Sequence, residues 1–207
     1  SPIADNIREV MNEVDNHCTI TGGYFIFDDP VMDNKNHTVS IGDSDLHVEK
    51  VVFEQVSHST RIAVFCCSAG RKISDWSRQL IAENNLIKGY LVDVLGTLVV
   101  ESAMMKMQVE LIADMKAQKM RTTNRYSPGF CGWDVTERQR LSLLFPRDFC
   151  GVAVNENDEL VPLKSLSGII GIGRYVKYNS YECDECNLKS CIYRTHKLED
   201  YMGHDGL

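Results

Sequence analysis

The chain has 207 residues, 43% of them apolar and 25% charged, enough to bury a substantial core in one large domain or two small ones. Its formal net charge of −7 argues against a nucleic-acid binder, because phosphate contacts need clustered Lys and Arg. No apolar run approaches the roughly eighteen residues of a membrane span, and no secretory leader pattern opens the sequence, so a cytoplasmic chain without membrane partners is expected. Eight cysteines in a chain this long, two of them adjacent as Cys66-Cys67, read as reduced thiols or metal ligands and not as a disulfide scaffold.

In chain order, Ile3, Ile7, Val10, Met11 and Val14 fall at helical spacing and predict an amphipathic opening helix. "GGYFIFDDP" (22–30), "LHVEKVVFEQV" (46–56) and "RIAVFCCSAG" (61–70) read as strands between Gly-, Asp- and Asn-rich turns. Ser74 is placed to cap a short helix over 74–84. From Leu86 to about Lys119 the chain lacks proline and is rich in Leu, Val and Met. That predicts one long, largely buried helix, irregular near Gly96, since a mid-helix glycine costs about 1 kcal/mol relative to alanine. A loop over Thr122–Trp133 follows. Then come a helix opened by an Asp134–Glu137 capping pair and stopped at Pro146, and a hairpin of "CGVAV" with "LVPLKSLSGIIGIG" across "NEND". Helices and antiparallel strands mix without βαβ alternation, so the class is α+β.

The loop "TTNRYSPGFCGW" concentrates unlike chemistries. Arg125 is a permanent cation suited to a carboxylate or phosphate. Ser127-Pro128-Gly129-Phe130 has Pro and Gly where a type II turn wants them, which can turn N–H groups toward a ligand. Tyr126, Phe130 and Trp133 could stack on a base or face a small cation. S-adenosylmethionine offers a carboxylate, a cationic centre and a base, and would use all three. The plainer alternative is a surface turn whose aromatics pack inward and whose Arg is solvated. Two other segments bear on the choice. Asp93, Thr97 and Glu101 lie four residues apart beside Gly96, and "KSLSGIIGIG" (164–173) carries three glycines in an apolar strand, read either as close approach by a ligand or as tight packing.

Together these segments resemble the activation domain of cobalamin-dependent methionine synthase, and more closely its free-standing relatives. The family's R-x-x-x-G-[YF] signature is matched by Arg125, Gly129 and Phe130. Its D-x-x-G-[ST]-x-x-x-E helix is matched by Asp93, Gly96, Thr97 and Glu101, and "KSLSGIIGIG" is similar to the strand closing the family's ligand site. The resemblance implies a bent antiparallel sheet flanked by helices, one of them long and central, over a domain of residues 1–178. It implies binding of S-adenosylmethionine by Arg125, Tyr126, Ser127, Gly129, Phe130, Cys131 and Gly168, with Asp93 and Glu101 facing a corrinoid partner. The implied activity is reductive methylation of cob(II)alamin on a separate methionine synthase or related corrinoid protein, with a flavodoxin-like reductant. In those full-length enzymes an Asp stands where this chain has Thr97, so half of the acidic pair is replaced. The rival readings are an S-adenosylmethionine-dependent methyltransferase of a small molecule, and a non-catalytic binding module.

A cysteine-rich tail over 179–207 lies outside the resemblance. Cys183, Cys186 and Cys191 are spaced C-x₂-C-x₄-C, three ligands of a zinc site that Cys150, His196 or His204 would have to complete, or three thiolates of an iron–sulfur cluster. Reduced thiols without metal are the plain alternative.

Overall fold

The computed structural model describes residues 2–179. Cys183, Cys186, Cys191, His196 and His204 lie outside the described residues. Among the described residues, no helix is long and apolar enough to cross a membrane, and no group of three or more His, Cys, Asp or Glu is placed to hold a metal ion.

A four-stranded antiparallel sheet organises the molecule, in the order β1 (Thr21–Asp28), β5 (Arg61–Ser68), β9 (Ser165–Gly173), β6 (Arg121–Tyr126). The two central strands are buried on both faces, which is why "RIAVFCCS" and "SLSGIIGIG" read as nearly unbroken apolar runs. Side chains alternate across the pleat. Ala63, Phe65, Cys67, Ile170 and Ile172 point to one core, with α1 (Pro2–His17), α3 (Lys72–Ala82) and α4 (Leu86–Ala117). Ile62, Val64, Ile169 and Tyr126 point to the other. That second core is covered by α2 (Lys50–Val56), α5 (Glu137–Ser142) and a small sheet of β2 (Val31–Asp33), β3 (Thr38–Ile41) and β4 (Ser44–His47). The expected α+β class, antiparallel sheet and long central helix are all present.

Helix α4 has 32 residues, about 48 Å at 1.5 Å per residue. Its buried positions Val92, Gly96, Val100, Met104, Gln108, Leu111 and Met115 form one stripe at three- and four-residue spacing, narrower than the sequence suggested. Nor is the helix interrupted at Gly96. A Cβ there would sit 3.0 Å from Ile73 and 3.2 Å from the stem of Lys164, so the glycine marks close packing and not a kink.

Four other local expectations are corrected. The segment 46–56 is not one strand: β4 ends at His47, and Val52, Phe53 and Val56 bury one face of the short helix α2. Ser74 does not cap α3, which begins at Lys72 and takes Ser74 into its first turn. Residues 122–126 belong to β6, so the loop starts only at Ser127. In the C-terminal hairpin, only β7 (Ala153–Val154) and β8 (Leu160–Val161) pair, and the glycine-rich stretch departs as β9 to the centre of the main sheet.

Gly168 sits where β9 meets the end of β6. A Cβ on it would fall 2.1 Å from the Tyr126 carbonyl oxygen and 2.8 Å from Ser127 Oγ. Of the two readings of this glycine, close approach by the chain's own backbone is the one the packing shows. Since a main-chain oxygen cannot swing aside, Gly168→Ala is expected to destabilise the fold by at least the ~1–3 kcal/mol typical of overpacking, read as a lowered midpoint in urea unfolding.

Candidate functional site

The site is built by an irregularity in β6. Thr122 pairs with Ile172 and Arg125 with Ile170, so three steps along β6 match two along β9. One extra residue in a strand moves every later side chain to the opposite face. Without it Asn124 would stand opposite Ile170. With it, Arg125 does, and its guanidinium turns toward α4. The irregularity is held by Thr123, whose Oγ1 accepts the Gly171 N–H at 2.9 Å. Asn124 exchanges two hydrogen bonds with the backbone of Asn179.

On α4, Glu101 meets Arg125: Nη2 and Oε2 are 2.6 Å apart, with the two side chains 21% and 19% exposed. The other terminal nitrogen, Nη1, is buried and has no hydrogen-bond partner among the described residues. A mostly buried guanidinium with one edge fixed by a carboxylate and the other left unsatisfied keeps a donor that a second oxyanion could take up. One and two turns back along α4, Thr97 and Asp93 hold a second cation. Lys164 Nζ lies 2.9 Å from Thr97 Oγ1 and 2.9 Å from Asp93 Oδ1, its stem running over Gly96. The two carboxylates expected to face a partner are therefore both ion-paired within the chain. Asp93 keeps its side chain 46% exposed, whereas Glu101 is mostly covered.

The turn after β6 forms as its sequence predicts: the Phe130 N–H donates to the Ser127 carbonyl at 3.0 Å and Gly129 has φ +97°. Its N–H groups are largely used at home. Gly129 donates to the Trp133 carbonyl at 2.7 Å, and Trp133 to that of Phe130 at 3.0 Å. Arg138 of α5 braces the turn from behind, donating through Nη2 to the Pro128 carbonyl and through Nη1 to that of Asp158. Nothing in the sequence singled Arg138 out, because its partners are carbonyls brought together only by the fold. The three aromatics separate. Tyr126 and Trp133 are buried in the second core, while Phe130 is 53% exposed at the tip of the turn. Ser127 lies against Gly168, and Cys131 packs at the edge of the second core with φ +53°.

No protein-family model matches the chain, and no curated protein sequence does. Among solved structures, the crystal structure of the MetH reactivation domain bound to AdoHcy matches with a TM-score of 0.64 at 12% identity, over 86% of this chain and 66% of that one. The fold is that of the MetH reactivation domain. At 12% identity the likeness is one of architecture, and this chain spans about two thirds of the length of the chain it matches.

Three thiols gather at the end of β5: Cys67 on the α4 side, close enough to Arg125 and Glu101 to feel their charges, Cys66 next to it on the strand, and Cys150, whose Sγ donates to the Cys66 carbonyl at 3.7 Å. Burial pushes Cys67 up to about 11, helped by Cys150 and offset by the Arg125 charge. Burial likewise raises Cys66 well above the usual thiol range, and Cys150 less so. All three are therefore neutral, weakly nucleophilic groups at ordinary pH. In the unfolded chain the same thiols ionise near ~8.5. Because the folded values are raised, the unfolded chain loses these protons first. The contribution to stability is full below about 8.5 and is lost as pH climbs toward about 11. Unfolding free energy measured across that window is expected to fall, and a Cys66→Ala/Cys67→Ala variant should flatten the slope whatever its absolute stability.

Proposed function

We propose that this chain binds S-adenosylmethionine and supports methylation of reduced cobalamin carried by a separate methionine synthase or related corrinoid protein. The observation that carries the reading is the Arg125 guanidinium, with one edge clamped by Glu101 and its buried Nη1 unsatisfied, on a MetH reactivation-domain fold. AdoHcy, bound in that neighbour, is what remains of S-adenosylmethionine once its methyl group has left.

In this reading the methionine carboxylate of the donor docks on Arg125 Nη1. Glu101 holds the guanidinium plane so that the new bond forms without a search among rotamers, and its charge keeps the pair balanced when the site is empty. Phe130, exposed on the braced turn, offers an aromatic wall to the sulfonium or to the base. The turn's internal hydrogen bonds and Arg138 keep that wall in place. With the donor held by Arg125 and Phe130, a reduced corrinoid on the partner would supply the electron pair for the methyl carbon, the C–S bond leaving its own pair on sulfur as a neutral thioether. A flavodoxin-like protein of the same cytoplasmic compartment supplies the electron that precedes this step. This chain's own contribution is orientation, worth up to ~7–11 kcal/mol where the sulfonium methyl is held in line with its acceptor. Asp93, half exposed beside Lys164, is an acidic residue of α4 left in reach of a docking partner.

Calorimetric titration with S-adenosylmethionine tests the reading. Arg125→Ala should weaken binding by about 1.5–3 kcal/mol, roughly tenfold or more, through loss of a charge-assisted contact. Unchanged affinity would remove the assigned role. Methyl loss is expected only with a corrinoid protein and a reductant present. Turnover of a small acceptor without them would favour a methyltransferase, and binding without methyl loss under any reducing condition would favour a sensor or storage module.

A further inference from the structure

β1 is an outer strand of the main sheet, paired with β5 in one unbroken register from Thr21 to Asp28. In the same register the Asp29 N–H donates to the Thr60 carbonyl, so the odd-numbered residues of β1 turn their backbone groups toward β5. Across the sheet, the Gly171 N–H directed at β6 fits the same alternation. Gly22, Tyr24, Ile26 and Asp28 therefore direct their N–H and carbonyl groups outward, and none of these groups has a hydrogen-bond partner among the described residues. Outer strands are commonly blunted by proline, lysine or a bulge. β1 carries none of the three, whereas β6 at the opposite edge is irregular and has Asn124 tied to Asn179.

The two faces beside this open edge differ in chemistry. On the α4 face, the Tyr24 hydroxyl donates to Asp114 Oδ2 at 3.5 Å. Burial raises that hydroxyl above its ordinary range, and the charges of Asp114 and Glu110 raise it further. Neither carboxylate has an ion-pair partner among the described residues. On the other face, Phe25 is 37% exposed and packs on Phe149 with ring centroids 4.9 Å apart, and Phe149 stacks on Phe145. A strand added at this edge would alternate its side chains between the acidic face and the aromatic one. A second copy of the chain suits the edge poorly, because pairing β1 with β1 sets Glu110 and Asp114 of both copies on the same face, in a chain already at −7.

We propose that the β1 edge is a docking site for an extended segment of a partner protein in which basic and apolar residues alternate, added to the sheet as a fifth strand. The backbone groups of Gly22, Tyr24, Ile26 and Asp28 hold the segment, Glu110 and Asp114 take its cations, and Phe25 and Phe149 take its apolar side chains. The surface shares no residue with the donor site around Arg125 and does not depend on that reading.

A capped peptide of alternating lysine and valine, titrated into the full chain and followed by amide hydrogen exchange, tests the proposal. Saturable binding in the roughly millimolar range or tighter should come with slowed exchange at Gly22, Tyr24, Ile26 and Asp28. The same peptide with alternate amides N-methylated keeps its charge but cannot complete the ladder, and should bind about tenfold more weakly. In the chain, Ile26→Pro removes one outward N–H and should also weaken binding about tenfold, while Glu110→Gln with Asp114→Asn should weaken it several-fold, thermal midpoints confirming that the variants fold. No saturable binding, equal binding of the N-methylated peptide, slowed exchange confined to other segments, or a free chain that sediments as a dimer and becomes monomeric in Ile26→Pro would each overturn the assignment.

Discussion

Between Thr122 and Arg125, β6 carries one residue more than the matching step of β9, and that residue decides which face of the sheet the Arg125 guanidinium meets. A regular strand would send it into the second core among Ile169, Trp133 and Phe53, where a charge without a partner is intolerable. With the extra residue it emerges beside α4, where a carboxylate waits. Thr123 and Asn124, which hold the irregularity, are as much part of the site as Arg125, although neither faces the same space. A bulge of this kind spends regular pairing to aim one side chain.

The long helix supplies the other half. Asp93, Thr97 and Glu101 recur every four residues and so lie along one side of α4. They divide between two cations that arrive from different parts of the chain. Lys164 enters from the loop before β9 and takes Asp93 and Thr97, and Arg125 enters from β6 and takes Glu101. Gly96 belongs to the same device, since a side chain there would displace the stem of Lys164. Thr97 in place of a second acid fits this arrangement: a hydroxyl accepts from Lys164 without adding a charge that nothing would balance.

Much of this was readable in the sequence. The periodicity of α1 and α4, the buried run of β5 and the Pro-Gly turn all follow from local chemistry, and each appears where its pattern puts it. The sequence marks Arg125, Glu101 and Asp93 as candidate binding residues, and the fold brings Arg125 and Glu101 into contact. What local pattern does not encode is partnership. The acids of α4 looked free because Lys164 and Arg125 lie 71 and 24 positions away from them. The buried fates of Tyr126 and Trp133 depend on a second core contributed by α2 and the small sheet, whose strands are three or four residues long and too short to announce themselves. The segment 46–56 misled for a related reason, since Val-Val-Phe satisfies a strand as readily as one turn of a buried helix.

The account rests on a guanidinium that is half engaged and half waiting. A crystal structure of the chain with S-adenosylhomocysteine examines that claim at the atoms concerned. The amino-acid carboxylate should lie about 2.7–2.9 Å from Arg125 Nη1, with the bond between Nη2 and Glu101 intact. A carboxylate bound to any other group, or a Glu101 displaced from Arg125 by the incoming ligand, would contradict it.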